Sequence, residues 1–516
     1  MIIKIKWNRI YLEIEFDKKI DDDIYLVNNK NEFKICSDYI NDNKVKMPIT
    51  CAYSDTIIDS GKWNIKYKGK IVSCDIECAK TLDDMDKVFF YKNRDYAYIV
   101  TFEINDDFSL IMNVNYMKKN KNKKSNKVIS SNKPLLQPII NFLFIIFTTF
   151  LKLYYNLIYL FSSRKKNKIL FISETRSPIS GNLLALSNRI KERNLDKDYK
   201  LYYSFKRVLS ERKSIIYYLK VIYKIAKVDY IFVDDYAPIF GILNLHKTKL
   251  IQVWHAGVGF KSVGYSRFGK DGSPHPLISP HKKYDYVSVA APNLVKVYQE
   301  VFGLTSKHFI APGMLRLDGY LDSDRIKSIK EKLMDLYPFI KNKKVILFAP
   351  TYRGTGQADA YYDYDKLDLD KLYKLCRDKN YITLFKYHPF IKKKMVIDDK
   401  YKDYLIDISD YKDINELFYI TDILITDYSS NIYEYSLFER PIIFFDYDMD
   451  VYSVIRGVHS NLEESPGNVC KTFDEVINTI NNERFDLDKV KRFKNDNILL
   501  TDSSACDRLI KQILDK

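Results

Sequence analysis

The sequence lacks the residue patterns that build disulfide frameworks and zinc sites. Its seven cysteines are scattered along the chain, with no C-x-x-C pair and no paired histidines. An odd number of scattered cysteines is typical of reduced thiols in the cytosol. The first residues, MIIKIKWNRIYLEIEF, also lack the continuous apolar stretch of a secretory signal peptide, so we expect the chain to stay in the cytosol.

Signatures of nucleotide-binding loops and of nucleic-acid-binding modules are missing as well. The chain contains neither G-x-x-x-x-G-K-[ST] nor G-x-G-x-x-G, which disfavours a Walker ATPase or a dinucleotide enzyme. No RNP-type motif, zinc-finger spacing or basic heptad region accompanies the net charge of +16, so we expect no nucleic-acid partner. The positive charge instead favours acidic lipid head groups or phosphorylated substrates.

What is present reads as a globular protein of several domains. The chain has 516 residues, of which 46% are hydrophobic and 29% charged, enough for two to four domains with their own cores. Apolar and polar residues alternate up to residue 117, as in KIKWNRIYLEIEF and DYAYIVTFEI. This period of two predicts an antiparallel, sandwich-like β domain over residues 1–117. A cationic, asparagine-rich stretch, KKNKNKKSNK, then marks a boundary.

The next segment, residues 118–166, combines basic residues with a long apolar stretch. LLQPIINFLFIIFTTFLKLYYNLIYLF would form a helix of about 40 Å, long enough to span a bilayer. A proline, two asparagines and Lys152 interrupt it, and its tyrosines suit a membrane interface. We therefore expect a helix that lies in the inner leaflet and attaches the protein peripherally to the anionic, cytoplasmic face of the cell membrane. A true span and a buried interdomain helix pair are the alternatives.

Beyond residue 167, short apolar strands alternate with amphipathic helices in two successive sets. KILFIS, VDYIFVDD, KLIQVW and YDYVSVA belong to the first set, and KKVILFAP, NYITLFKY, DILITDYSS and RPIIFFDYD to the second. Near-continuous apolar strands separated by helices predict parallel sheets covered on both faces. The expected fold is therefore α/β, with two Rossmann-like lobes over residues 167–325 and 326–516 and a central cleft at the carboxyl ends of the strands.

Five predicted strands end in polar residues, and two of the seven histidines are among them. A single histidine at a strand end is more often structural than functional. Here, however, two would converge with an arginine, two serines and a glycine-rich turn. These strand ends are Trp254–Gly257, Ala349–Arg353, Lys386–Pro389, Thr426–Ser430 and Asp446–Asp448.

Each of these stretches suits the handling of phosphate. Arg353 would present a fork-shaped donor to phosphate oxygens. The glycines around Gly257 would let the backbone approach a ligand closely, with Lys261 as a point charge. Ser429 and Ser430 precede NIYEYSLFE, a helix start whose dipole attracts an anion, although either serine could simply cap that helix.

The order of the motifs then resembles one family. QVWHAGVGFKSVG, GMLRLDGYLD, APTYRG, KYHPF and TDYSSNIYEYSLFERPIIFFDYD are similar, in that order, to the CDP-glycerol:polyglycerophosphate glycerophosphotransferases, the teichoic acid polymerases. Each motif alone is weak, but the ordered set covers roughly residues 168–512 and is specific. The resemblance implies a GT-B fold, a CDP-glycerol or CDP-ribitol donor and a lipid-linked polymer acceptor; an oligomer is compatible with it.

The resemblance also implies roles for individual residues. His255 corresponds to the general base that removes the proton of the acceptor hydroxyl, which attacks the phosphorus bearing the alditol and expels CMP; an imidazole suits that work near neutral pH. His388 would bind the donor pyrophosphate. The remaining matched positions are the phosphate-contacting Thr351, Arg353, Ser429 and Ser430 and the acidic Asp427 and Asp448.

Two other functions and one cofactor stay open at this point. A glycosyltransferase on the same scaffold would use a nucleotide sugar, because fold does not fix chemistry. A polymer-binding protein with a degenerate cleft would need neither histidine. Carboxylates at strand ends are candidate ligands for Mg²⁺, but the cations around the phosphates offer the same neutralisation, so no cofactor is firmly predicted.

Overall fold

The computed structural model forms two compact units. The first comprises Met1–Trp254, Val263–Ser288 and Val295–Ile310, and the second comprises His255–Ser262, Val289–Leu294 and Ala311–Lys516. The residues that the structure describes are 1–91, 95–118, 137–162 (backbone alone for 137–141), 167–209, 211–255, 257, 262–270, 273–354, 359–458, 465–498 and 502–515.

The first unit begins with antiparallel sheets, as the alternating pattern predicts. One sheet has the strand order β1-β2-β6-β5, and the other has the order β4-β3-β7-β11-β10-β9 with β8 paired to β7. Their elements are β1 (Ile2–Asn8), β2 (Tyr11–Phe16), β3 (Ile24–Val27), β4 (Glu32–Lys34), β5 (Ile40–Asn41), β6 (Lys44–Pro48), β7 (Gly61–Tyr67), β8 (Lys70–Ile71), α1 (Ile76–Lys80), β9 (Lys87–Tyr91), β10 (Tyr96–Ile104) and β11 (Leu110–Lys118).

The inward side chains of both sheets share a single core. Leu12 and Ile14 of the first sheet pack in the same cluster as Trp63 of the second. That cluster also takes in Phe268, which belongs to the following part of the unit and stacks on Phe89 with ring centroids 5.2 Å apart. The β region is thus joined to the rest of the unit by buried apolar surface.

A six-stranded parallel sheet completes the first unit. Its order is β13-β12-β14-β15-β16-β17, and the central strands are buried along most of their length, as expected for a sheet covered on both faces. Its strands are β12 (Lys168–Ser173), β13 (Lys200–Phe205), β14 (Tyr230–Val233), β15 (Lys249–Gln252), β16 (Tyr286–Ser288) and β17 (Phe309–Ile310). The helices of this unit are α2 (Gln137–Phe161), α3 (Gly181–Glu192), α4 (Ile215–Lys227), α5 (Ile239–Ile242) and α6 (Val295–Phe302).

The apolar segment before this sheet forms one continuous helix, α2, that packs against α4. Leu151 and Tyr155 are buried, and the Asn156 side chain lies 2.9 Å from Nε2 of His246. Phe144 and Leu160 are among the many apolar side chains on the exposed side. By length and composition alone, and among the described residues, one helix could cross a membrane, and that helix is α2. It is therefore neither an isolated helix nor a fully buried one.

The second unit contains a second six-stranded parallel sheet, with the order β20-β19-β18-β21-β22-β23. Its strands are β18 (Lys344–Phe348), β19 (Tyr381–Phe385), β20 (Leu405–Asp407), β21 (Ile423–Thr426), β22 (Ile442–Phe445) and β23 (Asn468–Cys470). Its helices are α7 (Ser323–Leu336), α8 (Leu369–Lys379), α9 (Ile414–Leu417), α10 (Ile432–Ser436), α11 (Met449–Ile455), α12 (Phe473–Asn481), α13 (Leu487–Asn497) and α14 (Ala505–Ile513). The expected α/β class with two parallel sheets is confirmed.

Within the first unit, an ion pair ties the β region to the parallel sheet. Asp55, between β6 and β7, accepts hydrogen bonds from the backbone and hydroxyl of Thr305 at 2.8 and 2.7 Å. Its other oxygen lies 2.8 Å from Nε2 of His308, whose Nδ1 lies 3.0 Å from the Asp285 carbonyl oxygen. Because a carboxylate and a carbonyl only accept, both ring nitrogens must donate, which requires the imidazolium form.

The pKa values of this pair shift accordingly. Burial disfavours the charged ring, but the hydrogen bond to Asp55 and the charge of Asp55 outweigh it and raise the pKa of His308 above its ordinary value of 6.5. Burial likewise opposes ionised Asp55, yet the hydrogen bonds from His308 and Thr305 lower the pKa of Asp55 below its ordinary value of 3.8. The His308 contribution to stability is complete below about pH 6.5 and is lost as pH rises through the raised pKa; the Asp55 contribution is lost only in acid.

We expect Asp55→Asn to lower the free energy of unfolding of the first unit by about 1–3 kcal/mol near pH 6, because it leaves buried donors poorly satisfied. The deficit relative to wild type should begin to shrink above about pH 6.5, and it should shrink further as pH rises through the raised pKa of His308, where the folded protein loses this proton. Urea unfolding of both proteins across this range measures the deficit, with Asp106→Asn, an exposed turn residue, as the control. A deficit that is constant with pH would contradict the imidazolium assignment.

Candidate active site

Four strands of the second sheet end in loops that carry candidate residues. Thr351 and Arg353 follow β18, His388 follows β19, Asp427 follows β21 and Asp448 follows β22. These strands are parallel neighbours in the order β19-β18-β21-β22, so their carboxyl ends lie at one edge of the sheet. The fold therefore brings this part of the predicted set to one edge.

Two carboxylates hold Arg353 at this edge. Its Nε and Nη2 donate to the two carboxylate oxygens of Asp448 at 2.7 and 2.8 Å, in a fork-to-fork arrangement. Its Nη1 donates to Asp427 at 2.7 Å and to the Thr351 carbonyl oxygen at 3.3 Å. Arg353 is only 5% exposed and Asp427 is fully buried, so this is a buried network of one cation and two anions.

Four tyrosine rings surround the guanidinium. Burial by itself disfavours the cation, but the charge of Asp427 and the hydrogen bonds to Asp448 outweigh it and raise the pKa of Arg353. The rings add cation–π attraction and exclude water. The distances from the Arg353 Cζ to the ring centroids are 5.0 Å for Tyr428, 5.1 Å for Tyr447, 5.3 Å for Tyr362 and 5.3 Å for Tyr452.

This geometry differs from the expected direct contact between Arg353 and phosphate. Nε, Nη1 and Nη2 all donate to acceptors within the protein, so the described contacts assign Arg353 to joining the loops after β18, β21 and β22. Thr351 is buried, and its backbone N–H donates to Asp427 at 2.7 Å. Direct phosphate contact stays a prediction for both residues.

The carboxylates at this edge are engaged with cations and hydroxyls. Asp427 and Asp448 both compensate Arg353, while Asp446 accepts from the Tyr428 hydroxyl at 2.7 Å and pairs with Lys471. Among the described residues, no group of three or more His, Cys, Asp or Glu side chains could hold a metal ion. The Mg²⁺ suggested by the strand-end carboxylates is therefore left without a ligand set in that part of the chain.

His388 is half-buried in an aromatic setting. Its ring lies 4.7 Å from both the Tyr352 ring and the Phe390 ring. Its Nδ1 accepts a hydrogen bond from the Phe390 backbone N–H at 3.2 Å, so the proton of the neutral ring is on Nε2. His388 can therefore act as a hydrogen-bond donor through Nε2 without being charged, a property that suits contact with a phosphate oxygen.

The serine loop after β21 departs from the sequence-based expectation. The helix start expected at NIYEYSLFE is present as α10, but the helix has only five residues, and its N-cap is Asn431, which makes no side-chain capping bond. The Ser429 hydroxyl accepts from the Asn431 backbone N–H at 3.4 Å. So short a helix has little macrodipole to attract an anion. The hydroxyls of half-buried Ser429 and Ser430 remain the polar groups of this loop.

His255 and Gly257 belong to the same unit as His388, in the segment His255–Ser262. A Cβ atom on Gly257 would lie 2.3 Å from Cδ2 of Tyr433, so the Tyr433 ring already requires glycine here. The close approach of this backbone to a ligand stays a prediction. The segment ends where the Ser262 backbone N–H donates to the Gly457 carbonyl at 2.9 Å. Lys261, expected to supply a charge, lies outside the described residues.

The residue before His255 has an unusual backbone. Trp254 has φ of +50°, in the left-handed region that bulky residues rarely adopt. Its N–H donates to the Gln252 side chain at 2.9 Å, and its carbonyl accepts from the Asn182 side chain at 3.0 Å. Strain of this kind persists only where neighbours enforce it, and it concentrates at functional sites.

Sequence reasoning missed one charged pair beside His255. Arg316 donates through Nη1 to the His255 carbonyl oxygen, and its Nη2 pairs with Glu434 of α10. Glu434 is nearly fully buried, at 3% exposed. Both residues stand in motifs of the ordered set, GMLRLDGYLD and NIYEYSLFE, but neither directly follows a strand. The rule that selects polar residues at strand ends therefore could not find them.

We expect Arg353→Met to lower the free energy of unfolding of the second unit by about 3–5 kcal/mol, because it leaves buried Asp427 without its counter-charge. Adding Asp427→Asn should recover part of that loss. Denaturant unfolding without any ligand measures both effects, and Arg377→Met, at an exposed pair with Asp378, should leave the midpoint unchanged. A near-neutral Arg353→Met would mean that the network contributes little to stability.

Comparison with known proteins gives matches over the part of the chain that contains these loops. The family model described as CDP-Glycerol:Poly(glycerophosphate) glycerophosphotransferase matches residues 153–515. The chain is 37% identical over 364 residues to the teichoic acid ribitol-phosphate polymerase TarL of Staphylococcus aureus, covering 70% of this chain and 65% of that protein. It is 39% identical over 352 residues to the teichoic acid poly(ribitol-phosphate) polymerase of Bacillus spizizenii, covering 68% of this chain and 56% of that protein.

Solved structures show the same fold. The wall teichoic acid polymerase TagF matches with a TM-score of 0.57 at 20% identity, covering 74% of this chain and 97% of that chain. At this identity the likeness establishes fold alone. The chain spans about two thirds or less of the length of TarL and of the Bacillus spizizenii polymerase. On the extent of the family match, the chain belongs to the CDP-glycerol:poly(glycerophosphate) glycerophosphotransferase family.

Proposed function

We propose that this chain transfers an alditol phosphate from a CDP-alditol to a hydroxyl of a growing teichoic acid or related surface polymer, with CMP as the leaving group. The observation that carries the proposal is the location of the candidate residues. From His255 to Asp448 they all lie within the matched segment 153–515, and the described ones fall in a single compact unit. The two Rossmann-like lobes of a GT-B fold, at residues 167–325 and 326–516, belong to the same proposal.

Ribitol phosphate is the favoured group. The two relatives at 37% and 39% identity are both named ribitol-phosphate polymerases. The glycerol-phosphate primase of Bacillus subtilis is 30% identical, and the glycerol phosphate polymerase of the same organism is 27% identical. We therefore infer CDP-ribitol as the donor and polymer extension as the reaction, with CDP-glycerol as the alternative. TagF structures described as soaked with CDPG support a CDP-alditol as the donor class.

In the proposed mechanism the residues position groups and manage charge. His255 takes the proton of the acceptor hydroxyl as its oxygen bonds to the β-phosphorus, and the bond from that phosphorus to the bridging oxygen of CMP breaks. His388 donates from Nε2 to a pyrophosphate oxygen, and the Ser429 and Ser430 hydroxyls donate beside it. Arg353 holds the loop after β21, which carries the two serines, to the loops after β18 and β22, so these hydroxyls need little reorganisation during the reaction.

Membrane attachment forms a separate part of the proposal. α2 buries Leu151 and Tyr155 against its own unit and exposes most of its remaining apolar side chains. Such a half-docked apolar helix suits the interfacial region of a bilayer. We infer that α2 lies in the inner leaflet at the cytoplasmic face, where a lipid-linked acceptor would be available.

A donor screen tests the reaction. Purified protein with a lipid-linked alditol phosphate acceptor should release CMP fastest from CDP-ribitol, and His255→Ala should lower kcat by about 10²–10⁴-fold, the usual worth of a general base. CMP release is measured by coupled assay or chromatography. The acceptor product is then checked by mass spectrometry for one or more added ribitol phosphates.

The same screen contains its controls. UDP- and GDP-sugars test the glycosyltransferase alternative, and sugar transfer without CMP release would overturn the proposed function. His246→Ala is the matched histidine control, since His246 packs against α2 in the first unit and should leave the chemical step unchanged. If His255→Ala retains turnover within a few-fold of wild type, another group is the base.

The membrane proposal has its own test. Replacing the exposed Leu157 and Leu160 of α2 by aspartate should release the protein from phosphatidylglycerol vesicles, because it puts charge on the face that would enter the lipid. Co-sedimentation measures binding. Leu336→Asp, an exposed apolar residue of α7, is the control. Unchanged sedimentation of the double variant would show that α2 is only a structural helix.

A further inference from the structure

The main-chain carbonyl of His255 is held by two charged residues that have no role in the proposed chemistry. Arg316 lies in a short helical turn, Leu315–Leu317, and its guanidinium donates to the carbonyl oxygen of His255. The other half of the guanidinium pairs with buried Glu434. The His255 main chain is thus held by a cation whose own position is fixed.

The turn that presents Arg316 is itself held rigidly. Asp318, two residues on, accepts hydrogen bonds from the backbone N–H groups of Ala505 and Cys506 at 3.0 and 2.8 Å, at the start of α14. The Arg508 side chain of that helix donates to the Pro312 carbonyl at 2.6 Å. The turn therefore sits on the last helix of the described chain.

The partner of Arg316 is equally well placed. Glu434 stands in α10 next to Tyr433, whose ring packs so closely on Gly257 that no Cβ would fit. Two adjacent residues of α10 therefore hold the main chain on both sides of position 256. Glu434 holds His255 through Arg316, and Tyr433 contacts Gly257 directly. Before the segment, hydrogen bonds of Gln252 and Asn182 fix the left-handed Trp254.

With its carbonyl anchored, the backbone dihedrals of His255 have little freedom, and the direction in which its imidazole leaves the main chain is set. An arginine suits this task because its planar fork serves the carboxylate and the carbonyl at once. We propose that Arg316, locked by Glu434, is a positioning residue that orients His255 for proton abstraction. The inference rests on the proposed function and assigns Arg316 no contact with substrate.

The test compares the rate of CMP release with the donor KM. Arg316→Met alone would strand the buried Glu434 charge, so the main variant is Arg316→Met with Glu434→Gln. We expect kcat to fall about 10–100-fold, since misplacement by about an ångström costs that much, while the donor KM stays within about threefold. Arg316→Lys should recover part of the rate. Arg325→Met on α7, an exposed arginine, is the control and should match wild type.

A double-mutant cycle separates positioning from a general structural effect. In a His255→Ala background, removing Arg316 should cost no more than about twofold, because there is no longer an imidazole to orient. The inference is overturned if the loss is as large in that background as in wild type, or if kcat does not change in the first place.

Failure of the proposed function gives a different result. If wild type releases no CMP from any CDP-alditol, the proposed reaction is wrong, and the inference is then read by NMR on protein with labelled histidines. The His255 ring resonance, identified by its loss in His255→Ala, should shift in Arg316→Met with Glu434→Gln and stay in place in Arg325→Met. An unmoved resonance in the Arg316→Met, Glu434→Gln variant overturns the inference.

Discussion

The candidate active site depends on one buried cation. Arg353 joins the loops after β18, β21 and β22 through Asp427 and Asp448, at hydrogen-bond lengths of 2.7 and 2.8 Å. Arg353 and Asp427 are deeply buried and Asp448 is 18% exposed, so the desolvation of these charges is costly and is tolerable because the two carboxylates compensate the guanidinium. The same network engages Asp427 and Asp448, two of the carboxylates at the strand ends. In the proposed reaction, the His388 imidazole and the Ser429 and Ser430 hydroxyls at this edge donate to the phosphates.

The first unit shows how an added β region becomes part of an α/β unit. Its two antiparallel sheets pack against the rest of the first unit, because Phe268 enters their core and Asp55 binds Thr305 and His308. Buried apolar surface supplies the stabilisation, and the paired charges fix the register of the contact. The β region is therefore better regarded as a support for the first parallel sheet than as an independent module on a linker.

The sequence predicted periodic features well and side-chain partners poorly. Period-two alternation identified the β region, and continuous apolar strands identified both parallel sheets, because both signals follow directly from burial. His255, His388, Asp427 and Arg353 could be selected since they directly follow strands. The ion pair between Arg353 and Asp448 could not be predicted, because it depends on how separate loops meet. Arg316 and Glu434 were missed for the same reason. The helix in NIYEYSLFE has only five residues, a length that the pattern of apolar residues does not specify.

The docking of α2 has a consequence for how a polymer could grow. α2 packs against α4, and the contact between Asn156 and His246 joins it to the segment between α5 and β15, so the helix is held against the unit that contains the first parallel sheet. If α2 lies in the inner leaflet as proposed, the first parallel sheet is held at the membrane surface with it. A lipid-anchored acceptor in the same leaflet would then reach the protein by diffusion within the plane of the bilayer.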